Sequence, residues 1–497
     1  PAIDLSTVAY VPMASISLDA AGVSTLAVPS ACLSAAAVPA ASTAAFYVVL
    51  ESTQNASAWP QHVFRAAVAP ASLVSVADAA SGVGEDFSAS AEVVTSSVGL
   101  IAPAAAPSGT SWPQALPASV VSQSNVDYFT NEPGDGPFTS ASGSAISSTI
   151  YYGATDGLLR ARGKDGASKW TYTTANTAAI RTAPNVRTEY IAPSTGVYVY
   201  FADESGDVYK LRDNETSAGL VWRKQLGVKV SSAIVDMPDD PTMYFGASDG
   251  KFYCLNKADG SNCGDGWPLV IPSTVTGVMA LDDRATVNAA WVGLENGDII
   301  SVSGVNTANP AVPTSMSTNY AIRSSPNLVA REASANNVIY FTSTSGKLYA
   351  RVSSNLTTKP TGWNTDYSAG APIYTSPYAT TSGARYIFFG DDAGRLHKVD
   401  SSGQSADGWP FQAGGAIRSS PIWVPGSYIA QGGASYVYFG CDDGYIYAVD
   451  ADTGKLRTGW PVATGAPVRS DLVADTDAGT IMATSGDGKT YVLYIGE

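Results

Sequence analysis

Charge is what this sequence has least of. Only 14% of its 497 residues are Asp, Glu, Lys or Arg, against about a quarter in an ordinary soluble domain. The charge present is acidic, with a net of −15, which argues against nucleic acid as a partner. Histidine is nearly missing: His62 and His397 are the two in the chain. No Cys/His spacing of the zinc type occurs, and no two of the four cysteines are adjacent. Long helical periodicity is absent too, so the chain is expected to be almost entirely β. The window Ala20–Leu50 has no charged residue. Pro29 and Pro39 break it, and its Ser and Thr suit extended structure, so no membrane span is expected. The chain opens at Pro1 with no Met and no basic-plus-apolar leader, the expectation for a processed or trimmed form.

What the chain does have is a repeat. It is clearest in Tyr436 to Gly465, YVYFGCDDGYIYAVDADTGKLRTGWPVATG. Two aromatic runs flank Asp443-Gly444, a strong hairpin signal that predicts positive φ at both turn residues. The hairpin glycine recurs as Gly157, Gly206, Gly250, Gly297, Gly346, Gly394, Gly444 and Gly488, in steps of 44 to 50 residues. Four strands at a period of about 40–50 residues are the pattern of a β-propeller blade. Large side chains alternate onto both faces of these runs: Tyr436 and Tyr438 on one, Val437 and Phe439 on the other. A sheet covered on both sides needs that pattern.

Eight repeats fill about 137–497. Gly-Trp-Pro triplets at Gly266, Gly408 and Gly459 mark the outer strand of a repeat, where Pro is tolerated because an edge needs no donor. The last repeat has no such strand. Trp112-Pro113 is expected to supply it, pairing with Tyr491–Ile495 and closing the ring. Val120–Gly136 is expected to be an extra loop over one end of the ring. The fourth repeat is the most degenerate and lacks Trp-Pro.

Residues 1–108 read as a separate domain, a small β-sandwich rich in Ala, Ser, Thr and Val, and 109–497 as the propeller. The first region has eight charged residues and no lysine. Two readings remain open for this bare surface: burial against the propeller or other copies of the chain, or a Ser/Thr-coated secreted domain.

Three sets of residues are candidate sites. Cys254 and Cys263 flank a turn-rich loop, and a disulfide there is expected in an oxidising compartment. Asp475 and Asp477 are the nearest approach to a calcium loop; an ordinary acidic turn is the alternative. The position opening each inner strand reads Phe138, Arg181, Val230, Thr274, Arg323, Tyr374, Arg418 and Arg469. Arg181, Arg323, Arg418 and Arg469 would then gather at one mouth of the channel, where guanidinium groups bind anions or an acidic segment. Pairing of each arginine with an acid or carbonyl of an adjacent blade is the alternative.

The Tyr/Phe-rich strand, the Asp-Gly turn and the Gly-Trp-Pro strand together resemble the pyrroloquinoline-quinone-like propeller repeats. So do the phrases GWPFQAGGAIRSSPIWV and GWPVATGAPVRSDLVAD. The resemblance covers roughly 110–497. It implies an eight-bladed propeller shared by quinoprotein dehydrogenases and by non-catalytic exported relatives. The dehydrogenases combine a quinone pocket, a calcium or lanthanide site, a catalytic Asp and often a vicinal Cys pair. No Cys-Cys occurs and no metal cluster maps onto matching positions, so no enzyme activity and no cofactor are expected. The expectation is a non-catalytic extracellular or cell-surface protein, with a periplasmic location as the alternative. Its partners would be proteins, including copies of itself through the N-terminal domain in a filament or layer. A ligand- or glycan-binding adhesin and a quinoprotein oxidoreductase are the alternative functions.

Overall fold

The structure is a computed structural model. It describes residues 149–497 apart from 164–166, 192–193, 237–239, 283–287, 330–336, 381–384, 429–432, 476–478 and 496–497, together with the backbone of eight two-residue strands before residue 127. The chain forms two compact units, Pro1–Ile101 and Ala102–Glu497. In the first, three short antiparallel ladders nest inside one another. Val63–Phe64 pairs with Val98–Gly99, Ala67–Val68 with Val93–Val94, and Val76–Ala77 with Gly84–Glu85. The expected sandwich packing lies outside the described residues. No helix among the described residues is long and apolar enough to cross a membrane.

The second unit is an eight-bladed propeller of four-stranded antiparallel sheets. Blade 7 shows the plan: Ile422–Val424, Tyr436–Gly440, Tyr445–Asp450 and Val462–Ala463, from the axis outward. The two middle strands are buried on both faces. Val437 and Phe439 pack toward blade 6 with Phe388 and Leu396, while Tyr438 packs toward blade 8 with Ile481 and Leu493. Five further clusters follow the same rule between successive blades from 1 to 6, as with Phe201 and Ile180 between blades 1 and 2. Gly440 has no side chain because Val468 of the next blade fills the place a Cβ would take.

All eight hairpin glycines have positive φ, from 71° to 91°. The residue before each does not, contrary to the two-residue turn the Asp-Gly pairs predict. The turn is one of four residues: Gly444 N–H donates to the Cys441 carbonyl, and Cys441 N–H to the Tyr445 carbonyl. Asp443 is there for its carboxylate, which accepts the Tyr445 N–H and the Tyr447 hydroxyl.

The ring closes as expected, with a shifted register. Gln114–Ala115 is the outer strand of blade 8 and pairs with Thr490 and Lys489. Trp112 itself lies outside the described residues. The innermost strand of blade 8, Val473–Asp475, touches that of blade 1, Asn125–Val126, which in turn touches Asn185–Ile191 of blade 2. Asn125–Val126 pairs with Tyr151 and Ile150. The stretch Val120–Gly136 is therefore not simply an extra loop: it holds the innermost strand of blade 1, and Phe138 lies outside the described residues. A chain starting after Ala115 is expected to expose the Lys489–Tyr494 edge and associate with concentration. Light scattering against a chain starting at Ala102 checks this.

Trp-Pro precedes the outer strand rather than lying in it: Trp267-Pro268 leads into Leu269–Val270 and Trp409-Pro410 into Phe411–Gln412. The indoles form a girdle between blades. Trp170 Nε1 donates to Asp213 of blade 2 at 2.8 Å, Trp222 to the Lys257 carbonyl of blade 3 at 2.9 Å, and Trp267 to the Thr307 carbonyl of blade 4 at 2.8 Å. Cys254 and Cys263 form the expected disulfide in blade 3.

Candidate functional site

The mouth of the channel is built by a repeated phrase. Ala-Ile-Arg-Ser-Ser-Pro stands at 321–326 and 416–421, with Ala-Ile-Arg-Thr-Ala-Pro at 179–184. The Ile fills the space beside the preceding blade, and its N–H donates to that blade's hairpin turn, as Ile417 N–H does to the Asp391 carbonyl. The first Ser or Thr then substitutes for a strand pairing. Ser324 Oγ donates to the Thr342 carbonyl and accepts the Thr342 N–H, both at 3.0 Å. Thr375 does the same with Gly390 and Ser470 with Thr484. The innermost strands therefore start late, and most are only two or three residues long.

The second hydroxyl links blades around the axis. Val278 N–H donates to Ser325 Oγ, Ser325 N–H to Ser376 Oγ, Ser376 N–H to Ser420 Oγ, and Ser420 N–H to Asp471 Oδ1. The distances run from 3.0 Å down to 2.5 Å. Burial pushes the Asp471 carboxyl up against the Ser420 hydrogen bond. Sequence reasoning missed this ladder, although the second Ser of Ser-Ser-Pro was its visible mark.

The arginine between the Ile and the first hydroxyl reaches the acid of a hairpin turn. Arg418 grips Asp392 of blade 6 through Nε at 2.9 Å and Nη2 at 3.2 Å. Arg469 grips Asp442 of blade 7 at 2.7 and 3.0 Å, and Arg418 reaches the same carboxylate at 3.8 Å. Arg323 pairs with Glu295 of blade 4. Blade 1 has Thr155 at this turn position, and Arg181 turns to Glu204 of its own blade, which Lys229 shares. Tyr374 occupies the arginine position in blade 6, with the guanidinium groups of Arg323 and Arg418 at 5.8 and 5.5 Å from its ring. Three of the four arginines are thus joined through shared partners, and none presents an unpaired guanidinium. The equivalent residues in blades 3 and 4 are Ser231 and Thr276, not Val230 and Thr274. Val230 and Val275 are the Ile equivalents, and their packing settles the register.

A second recurring unit lies behind the mouth. Tyr209, Tyr253, Tyr447 and Tyr491 each donate a hydroxyl hydrogen bond to a hairpin aspartate: Asp203, Asp249, Asp443 and Asp487. In blade 6 the place is taken by His397. Its ring stacks on Phe389 at 4.9 Å, its Nε2 lies 3.0 Å from Asp391 Oδ2, and its Nδ1 lies 3.0 Å from the Tyr367 hydroxyl. Burial pushes Asp391 up, but hydrogen bonds from His397 and Arg395 outweigh it and hold the carboxyl below its usual range. Asp366, beside Arg351, is held low in the same way. A carboxylate lowered on folding stabilises the fold above its unfolded value, about pH 4, and that contribution fades as pH falls through the folded value. Stability is therefore expected to drop in that acid window, and Asp366→Asn to flatten the drop. Urea midpoints measured between neutral and acid pH check it.

Asp475 ends an innermost strand, while its side chain and Asp477 lie outside the described residues. Among the described residues no group of three His, Cys, Asp or Glu is placed to hold a metal. Cys441 is a buried free thiol, bonded to the Gly415 carbonyl and pushed up to about 12 by burial.

No family model matches this chain, and no curated protein does. Solved structures match it in fold. Sqt1 of Saccharomyces cerevisiae aligns with 15% identity over 78% of this chain and 98% of its own, at a TM-score of 0.57. The computationally designed Ika8 protein aligns with 13% identity over 77% and 98%, at 0.52. BamB from Moraxella catarrhalis aligns with 15% identity over 75% and 97%, at 0.50. At these identities the likeness is one of fold alone.

Proposed function

We propose that this chain is a non-catalytic structural or interaction protein of an exported assembly. Its propeller offers rigid faces to protein partners, and its N-terminal region joins neighbouring copies in a filament or layer. The observation that supports this reading is the use to which reactive side chains are put. The mouth arginines are consumed in ion pairs with the acids of hairpin turns, His397 replaces a structural tyrosine, and Cys441 is buried as a neutral thiol. Such residues hold blades together and leave no activated nucleophile or base among them. The disulfide supports export. The charge-poor first hundred residues support contact with other copies.

Sedimentation velocity and negative-stain imaging of the full chain test the proposal. Concentration-dependent polymers are expected, and a chain starting at Ala102 should no longer form them. A full chain that stays monomeric at high concentration overturns self-assembly.

A further inference from the structure

The turns between third and fourth strands lie at the end of each blade opposite the hairpin glycines, away from the channel mouth. Two of these turns carry an Asn-x-Thr triplet: Asn214-Glu-Thr216 in blade 2 and Asn355-Leu-Thr357 in blade 5. Both asparagines and both threonines are exposed. The geometry points to Asn355, and with it Asn214, as an acceptor for N-linked glycan on the face of the propeller opposite the mouth. This rests on the exported part of the function proposed above.

Blade 5 builds its turn differently from its neighbours. Blades 6 and 7 cap the turn with Asp400 and Asp450, whose carboxylates accept N–H and hydroxyl donors two or three residues on. Val352 stands at that position in blade 5, since its N–H donates to the Thr358 carbonyl as Asp450 N–H does to Lys455. The capping falls to Asn355 instead. Its Oδ1 accepts the Thr357 N–H at 3.1 Å and the Thr357 hydroxyl at 2.8 Å. Those two bonds turn Oδ1 toward the chain and leave Nδ2 outward.

The turn is anchored on either side of the asparagine. Leu356 is fully buried in the core between blades 4 and 5, and the Ser353 carbonyl accepts the Trp291 indole N–H at 3.0 Å. An open groove of about 360 Å³ runs alongside, lined by Ser354, Thr358, Lys359 and Thr361 among others. Its hydroxyls are donors and acceptors of the kind a first sugar needs, while the Lys359 ammonium is held by the Asn364 carbonyl and Asp366.

The donor would be an oligosaccharide on a polyprenyl pyrophosphate. Asn355 Nδ2 bonds to the anomeric carbon and loses one proton to the transferring enzyme. The bond from that carbon to the pyrophosphate oxygen breaks, and the lipid pyrophosphate leaves with the electron pair. No oxidant or reductant takes part. Modification requires an exposed acceptor in a secreted chain, and a glycan here would leave the mouth face open to partners while shielding the other.

The test is mass spectrometry of peptides spanning Asn214 and Asn355 from the full chain isolated from its own source. The Asn355 peptide is expected to carry a saccharide mass that N355Q abolishes. T357V should abolish it too while keeping the asparagine, which guards against misfolding of the first variant. An unmodified Asn355 in chain recovered outside the cell overturns the inference and leaves export standing. Recovery of the chain only from the cytoplasm overturns export. The acceptor is then judged with purified oligosaccharyltransferase and a polyprenyl-pyrophosphate oligosaccharide: transfer to the wild-type chain but not to T357V supports it, and no transfer overturns it.

Discussion

Replacing Asp236 by alanine is expected to cost about 3–5 kcal/mol, the effect of removing one partner from a buried ion pair. Asp236 lies in the innermost strand of blade 3, with its carboxylate fully buried. Arg187 of blade 2 donates to Oδ1, and so does Asn185 at 2.8 Å. Lys257 Nζ lies 2.6 Å from Oδ2. Burial lowers the Arg187 pKa while Asp236 raises it, so this carboxylate offsets part of the cost of burying the guanidinium. A neighbouring pair shares the same interblade space. Lys210 Nζ, fully buried, donates to Glu189 and to the Lys257 carbonyl, and burial lowers its pKa in turn. Two largely buried cations would be left without their counter-ion. The combined change D236L/R187M/K257M should recover most of the loss, because it removes the charges together and keeps the apolar volume. Urea midpoints of the single and combined variants decide it. A single variant within about 1 kcal/mol of the parent would mean that water reaches the cluster.

None of that cluster was legible in the sequence. Arg187 and Asp236 sit on strands of two blades and Lys257 in a turn of the second, and no short window contains two of them. What could be read was whatever repeats at one fixed spacing. The hairpin glycines and the Phe/Tyr runs recur because every blade needs the same turn and the same two covered faces. They gave the blade count, and the recurring Trp-Pro pair gave the closing strand. The innermost strands were harder to place. A Ser or Thr hydroxyl replaces their first ladder bonds, so two or three residues suffice and no alternation develops over so short a run. Asn125–Val126 was missed and the arginine register slipped at Val230 and Thr274 for that reason.

The mouth arginines show a different limit. Their convergence could be foreseen, because the position before each inner strand faces the axis. Their partners depended on which hairpin turn carries an acid, and on Tyr374 standing where a fifth arginine would be. Exposed ion pairs of this kind contribute little singly, about 0–1 kcal/mol. Their linkage through Asp442 and Tyr374 ties the hairpin turns of blades 4, 6 and 7 to the strand openings of blades 5 to 8. The Ser-to-Asp471 ladder beneath them runs over the same blades. Blades 2 and 3, with Ala183 and Ala233 at the ladder position, hold together instead through the buried ions around Asp236. Blades 2 and 3 and blades 4 to 8 thus use two separate devices.

Blade 4 makes the last prediction, since the absence of a tryptophan at its outer strand leaves a gap in the girdle. Trp291 fills the gap from the second strand. It is almost fully buried, packs with Ile339 and Leu356, and donates Nε1 to the Ser353 carbonyl of blade 5 at 3.0 Å. That carbonyl belongs to a turn between third and fourth strands, as does the Lys257 carbonyl that receives Trp222. Trp291→Ala is expected to cost about 3–5 kcal/mol, from the lost burial and the cavity left behind. Trp291→Phe keeps most of the volume and loses the donor, leaving a buried carbonyl short of one bond, for about 1–3 kcal/mol. The two costs separate packing from hydrogen bonding, and both are read from urea midpoints. Hydrogen exchange at Asn355 and Thr358 should rise in both variants, because their turn loses its anchor. Unchanged exchange there would show that Leu356 alone holds the blade 5 turn against blade 4.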